Sequence, residues 1–173
     1  MKVSVTGTFL PDQTALYGAE VRTIATGPAM GARMIEPLRE ASGDLILIDR
    51  GWVPLSRPEP IDRVTGEATI SGYVHYGDSA GWFSAKDDPV ARRFFTLDPK
   101  AIAAAMGLPN VRPFVLVALV AATGSGTANH WPDPARHLPR PPNSHLSYAI
   151  TWYGLALALL AIFVVWARKD SRA

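Results

Sequence analysis

Residues Leu146 to Ala167 read LSYAITWYGLALALLAIFVVWA, 22 positions without a charged side chain. At about 1.5 Å per residue a helix of this length reaches about 33 Å, enough to cross a hydrocarbon layer about 30 Å thick. Helices buried in water-soluble cores rarely run so long without a charge, so the stretch predicts a C-terminal transmembrane helix set in a lipid bilayer. Working outward, a chain of 173 residues leaves room ahead of this anchor for one domain with its own core.

The charges agree with an anchor. Up to Ala167 the chain carries 14 Lys or Arg and 14 Asp or Glu, so the whole net charge of +2 comes from the tail, Arg168 to Ala173. A nucleic-acid-binding domain needs cations clustered on its folded part, and the sequence shows no such cluster. The basic tail is expected to flank the span on the cytoplasmic side of a bacterial plasma (inner) membrane, which puts the domain on the periplasmic side. There is no cysteine, hence no disulfide, no thiolate metal site and no cysteine nucleophile. The N-terminus shows no apolar segment either. Either the C-terminal helix is the sole insertion signal or the chain is a piece lacking an N-terminal span.

Ahead of the anchor the patterning is that of strands. Lys2 to Phe9 alternates Val3, Val5, Gly7 and Phe9 with polar neighbours, and Leu10 to Gly18 is turn-rich. Val21 to Ala25 and Arg33 to Leu38 predict two short strands, separated by Gly27, Pro28 and Gly31. Asp44 to Val53 is the strongest strand pattern, Pro54 to Pro60 breaks it, and Glu67 to Tyr76 resumes alternation. Gly77 to Ala91 reads as a long polar loop and Arg92 to Leu97 as a short strand. Asp98 can cap a helix with Pro99 at its first position and Gly107 just past its end. Pro113 to Ala122 predicts a central strand.

Five prolines between Trp131 and Pro142 then predict an extended, stiff linker. The expected organisation is a β-rich domain over 1–130, a linker over 131–145, the span over 146–167 and the basic tail over 168–173. The expected fold class is α+β: an antiparallel or mixed sheet with one short helix, followed by the transmembrane helix.

Few residues offer chemistry. No phosphate-binding loop or nucleophile elbow is present, and Gly124, Ser125 and Gly126 read as a turn. Asp49 and Arg50 read as an ion pair closing the sheet, Asp87 and Asp88 as solvated loop carboxylates. No nucleophile–base pair is visible, so the chain is not expected to be an enzyme. Of the four histidines, His75 lies in a strand pattern, and His130 and His137 lie near or within the proline-rich stretch. His145 stands at the membrane boundary.

At helical spacing His145, Tyr148 and Trp152 share one face. An imidazole with aromatic neighbours there is suited to ligating haem iron. Equally, Tyr148, Trp152 and Tyr153 make an interfacial aromatic belt in which His145 touches headgroups. The residue types alone leave both open. Gly154 and Ala158 form a small-xxx-small pair that invites a second transmembrane helix to pack closely.

Three separated motifs carry a resemblance. LILIDRGWVP (Leu45 to Pro54), RRFFTLDPKAIAAAMGLP (Arg92 to Pro109) and NSHLSYAITWYGLALA (Asn143 to Ala158) together resemble the Surfeit locus protein 1 family, assembly factors for haem-copper cytochrome c oxidase. The resemblance implies a membrane-anchored, extracytoplasmic, non-enzymatic domain that helps install haem a in oxidase subunit I. Its haem-associated histidine maps onto His145, with Tyr148 and Trp152 beside the macrocycle and His145 the ligand of the haem iron. Its partners would be subunit I or oxidase assembly intermediates. The family normally has a first membrane helix ahead of the domain, the natural mate for Gly154 and Ala158, and this chain begins just past it. Ser144 stands where the family often has a second Asn. The alternative function is a cofactor-free, single-span accessory subunit or scaffold bound to the oxidase.

Overall fold

A computed structural model of the chain describes residues 2–56, 61–120, 131–139 and 145–170. It divides into two compact units, Met1–Leu138 and Pro139–Ala173. The first unit contains strands β1 (Lys2–Phe9), β2 (Ala15–Ile24), β3 (Gly27–Glu40), β4 (Leu45–Pro54), β5 (Glu67–His75), β6 (Arg93–Phe94) and β7 (Val111–Ala118). Helix α1 (Pro99–Ala105) lies between β6 and β7, and the second unit contains helix α2 (His145–Asp170).

The strands form one mixed sheet in the order β1-β5-β7-β4-β3-β2-β6, and a further antiparallel pairing of β1 with β3 closes it on itself. The ring of β1, β5, β7, β4 and β3 leaves no free edge among its five strands, while β2 and β6 extend outward from β3. The β4–β7 and β2–β6 pairings are parallel and the others antiparallel. The β-rich domain with one short helix is therefore as expected.

The LILI run of β4 lacks polar alternation because both faces of this strand are buried. Ile46 and Ile48 point inward, joining Phe9, Leu38 and Leu116 with Val3, Val5, Ile70 and Val74 from the other strands of the ring. Leu47 points outward, where Ile35 and Val115 form a second core with Phe94, Leu97, Ile102 of α1 and Met106, which caps the C-terminal end of α1. Helix α1 thus covers the outside of the wall that β3, β4 and β7 make. Its start is as read from sequence: Asp98 accepts a hydrogen bond from the Lys100 amide at 2.9 Å, and Pro99 occupies the first turn. Gly107 follows its C-terminal end with φ of 65°.

Three strands differ from expectation. The turn after β1 ends by Ala15, so β2 includes residues read as turn. Strand β3 is a single run of 14 residues that passes through Gly27, Pro28 and Gly31. At Gly31 the Trp52 ring occupies the space a side chain would need, which is why a glycine suits this strand position. The predicted strand over Arg92 to Leu97 shrinks to the two residues of β6.

The proline-rich stretch also differs over its first residues. Trp131 is buried against Trp52, with ring centroids 5.1 Å apart in an edge arrangement. Asp133 exchanges backbone hydrogen bonds of 2.9 Å with Trp52, and Ala135 bonds to Ala118 and Val120. Residues 131–135 are extended, as the prolines require, but they are held on the domain because Trp131 gains a buried site there. Residues 57–60, Gly124 to Gly126 (read from sequence as a turn), His130, Asn143, Ser144 and the tail beyond Asp170 lie outside the described residues.

Helix α2 is long and apolar enough over Leu146–Arg168 to cross a membrane, judged by length and composition. Its apolar side chains, among them Leu155, Leu159, Ile162 and Phe163, are exposed. A helix apolar on every side suits a surrounding hydrocarbon solvent better than water.

Candidate functional site

Helix α2 opens at His145, the histidine of the NSHLSYAITW motif. The His145 imidazole lies outside the described side chains, so its backbone position is what places it. At about 100° per residue, positions i, i+3 and i+7 fall on one side of a helix, which groups His145 with Tyr148 and Trp152. Tyr148 and Trp152 are 65% and 68% exposed among the described residues. Thr151 donates from Oγ1 to the Ser147 carbonyl at 2.9 Å and satisfies its hydroxyl inside the helix. A Cβ built on Gly154 meets nothing within 4 Å, which leaves the backbone there open to close approach by another helix.

In the domain, the DRGW segment of β4 is the most polar part of the core, and each of its residues has a separate task. Neighbours on a strand point to opposite faces, so Asp49 and Arg50 cannot pair with each other as expected from sequence. Asp49, 1% exposed, instead receives the Arg33 guanidinium from β3 on the outer face and the Gly51 amide at 3.0 Å. Arg50 turns to the other face, where Glu36 takes its Nη1 at 2.7 Å, the Asp62 carbonyl takes its Nη2 at 2.8 Å and the Phe9 ring lies 5.1 Å away. The β3–β4 register slips at this point, which makes Arg50 the extra residue of a bulge. Gly51 has φ of 124° and backs onto the Asp133 carbonyl, which a Cβ would approach to 2.1 Å. Trp52 is fully buried and donates from Nε1 to the Glu20 carbonyl at 3.1 Å.

The groups around Asp49 perturb one another. Burial pushes the Asp49 carboxyl above the usual carboxylate range, against the pull of the Arg33 guanidinium. Burial also raises the phenol of Tyr17, helped by the Asp78 carboxylate that accepts its hydrogen bond at 3.5 Å, and burial raises that of Tyr73. Neither Arg33 nor Glu36 stands out in the sequence. The available signal is that each is a charge set in the apolar run of β3, where an isolated charge would be costly without a partner.

The remaining polar candidates are structural. His75 ends β5 and accepts the Gly77 amide at Nδ1, as a sheet residue. Asp87 and Asp88 are not merely solvated: Asp87 accepts the amides of Phe95 and Thr96, and Asp88 those of Val90 and Ala91. Among the described residues no group of three His, Asp or Glu side chains is placed to hold a metal ion.

Comparison with known proteins agrees with these motifs. The family model described as "SURF1 family" matches residues 1–157. A SURF1-like protein of Monosiga brevicollis is 31% identical over 97% of this chain and 66% of its own length. A SURF1-like protein of Rickettsia felis is 30% identical over 97% of this chain and 74% of its own length. Surfeit locus protein 1 of Xenopus tropicalis is 27% identical over 88% of this chain, which spans 48% of that protein. The matched region takes in the DRGW bulge, helix α1 and the His145 end of α2 alike, and the chain belongs to the SURF1 family.

Proposed function

We propose that the chain is a membrane-anchored assembly factor for haem-copper cytochrome c oxidase that assists haem a insertion into subunit I. The observation that supports it most is the opening of α2. A histidine begins a membrane-length helix, and Tyr148 and Trp152 stand exposed on the same side. In this account haem a is the cargo and iron ligation is the chemistry it supplies. A neutral imidazole is a common haem-iron ligand, and two flat apolar rings suit the face of a macrocycle. The donor set therefore fits one side of a haem, and the open backbone at Gly154, with Ala158 one turn on, fits a second transmembrane helix supplying the other side.

The roles then divide between the two units. Helix α2 spans the inner membrane with its basic end in the cytoplasm, His145 at the periplasmic boundary holds or hands over the cargo, and the β-domain docks on subunit I or its assembly intermediates. Beyond offering the histidine, the chain is asked to do no bond-making chemistry, so it is no enzyme in this account. The test is complementation of a bacterium that lacks its own family member. Wild-type protein should restore haem a in subunit I, and His145→Ala should restore much less at equal protein level. Full restoration by the variant would sink the ligand role. Haem-free protein co-purifying with mature oxidase would instead favour a scaffold.

A further inference from the structure

The connection between β5 and β6 holds two large apolar side chains that the domain does not use. Trp82 and Phe83 are 94% and 95% exposed, with ring centroids 6.3 Å apart. They sit at the two corners of a closed turn, in which the Ser84 amide donates to the Gly81 carbonyl at 3.1 Å and the Gly81 amide to Ser84 Oγ at 2.8 Å. Corner positions of turns favour Gly, Pro, Asn and Asp, and a Trp–Phe pair there leaves a large apolar area in water with no return in folding. A residue pair that breaks the local rule so plainly points to a contact outside the domain.

The charges around the turn suit a bilayer surface. No charged residue occurs from Ser79 to Ala85. Of the carboxylates on either side, Asp78 accepts from Tyr17 and Asp87 from the Phe95 and Thr96 amides, so both are tied to the domain, while Asp88 accepts the Val90 and Ala91 amides of its own turn. Lys86, the first charge after the turn, forms no ion pair among the described residues and can extend along an apolar surface to a phosphate. Membrane-length α2 starts ten positions beyond Ala135, which is bonded to the sheet. Trp is the side chain most at home where hydrocarbon meets headgroups.

The geometry points to the Gly81–Ser84 turn as a bilayer-contact tip that places Trp82 and Phe83 in the headgroup region of the membrane. The inference rests on the anchoring by α2 proposed above. It gives the domain a second point of attachment, which would restrict its orientation on the membrane while it docks on a membrane-embedded partner.

Because the chain has no cysteine, single nitroxide labels can be set at Ala80→Cys, at Ala41→Cys in the turn between β3 and β4, and at Ala161→Cys in α2. The full chain is reconstituted in phosphatidylcholine–phosphatidylglycerol vesicles, and collision with oxygen is compared with collision with a water-soluble nickel chelate. The ratio at position 80 should stand several-fold above that at 41 and fall to the value at 41 when Trp82→Ser and Phe83→Ser are added. A lipid-like value at 161 with equal ratios at 80 and 41 overturns the tip and leaves the anchor standing. An aqueous value at 161 overturns the anchor and the tip together. A label at 80 that leaves water only when oxidase is added would mean a protein partner, and overturns the proposal as well.

Discussion

The indole of Trp52 lies flat against the backbone of Gly31: a Cβ at position 31 would come within 2.1 Å of Trp52 Cε2 and 2.2 Å of Cζ2. The ring is fully buried and tied through Nε1 to the Glu20 carbonyl, so it has no free direction in which to move. Gly31→Ala should therefore behave as an overpacked core, costing about 1–3 kcal/mol. Thermal unfolding would register a Tm lower by several degrees. Adding Trp52→Phe to Gly31→Ala should recover part of that loss, since the smaller ring vacates the contested space.

The pair of Arg33 with Asp49 carries a second expectation. Removing one member leaves the other charge without its partner at a buried position, a change that costs about 3–5 kcal/mol in fully buried pairs. Arg33 is 22% exposed in its side chain, so the lower end of that range applies. Asp49→Asn and Arg33→Met should each destabilise strongly in denaturant melts. The double variant should be less destabilised than the two singles added together, and simple additivity would show that the pair is not coupled.

Alkaline pH should expose the polar face around β2 and β5. Tyr17 and Tyr73 hold their protons more tightly in the folded chain than at the ordinary value of 10.0, through burial in both cases and Asp78 in the first. A raised folded-state value means that the contribution to stability is complete below pH 10 and is lost as pH rises through the folded-state values. Ultraviolet difference titration of the folded protein should show phenols ionising late. Tyr17→Phe and Tyr73→Phe should each remove one late step.

Gly154 offers a test confined to α2. Among the described residues nothing comes within 4 Å of a Cβ built there, so Gly154→Leu should leave the unfolding of the β-domain unchanged. The same substitution fills the cleft that a second transmembrane helix would enter. Co-purification of oxidase subunits with the tagged full chain should drop, and Leu155→Ala, a neighbouring change that adds no bulk, should leave it near the wild-type level. Equal recovery with Gly154→Leu would remove the helical partner from this face.

Much of this was legible in the residues, for reasons that can be named. Helix α1 announced both ends through Asp98, Pro99 and Gly107, and the charge-free run from Leu146 to Ala167 marked the body of α2, which continues to Asp170. The strength of β4 was visible in LILI, although burial on both faces required knowing what α1 covers. Local signals misled where a distant residue decided the matter. Gly31 looks like a breaker until Trp52 is placed against it, and Trp131 looks like linker until its ring meets Trp52. Asp49 and Arg50 adjoin in sequence, yet strand geometry sends them to Arg33 and Glu36 on opposite faces. The exposed pair Trp82 and Phe83 was hidden inside a loop whose average composition is polar.

The central claim is that His145 ligates haem a, and one spectrum tests it most directly. The full chain, purified from cells that supply haem a, should show the absorption bands of an axially ligated haem. His145→Ala, prepared in the same way and equally folded, should lose those bands or show them shifted. An identical spectrum from wild type and variant would contradict the account.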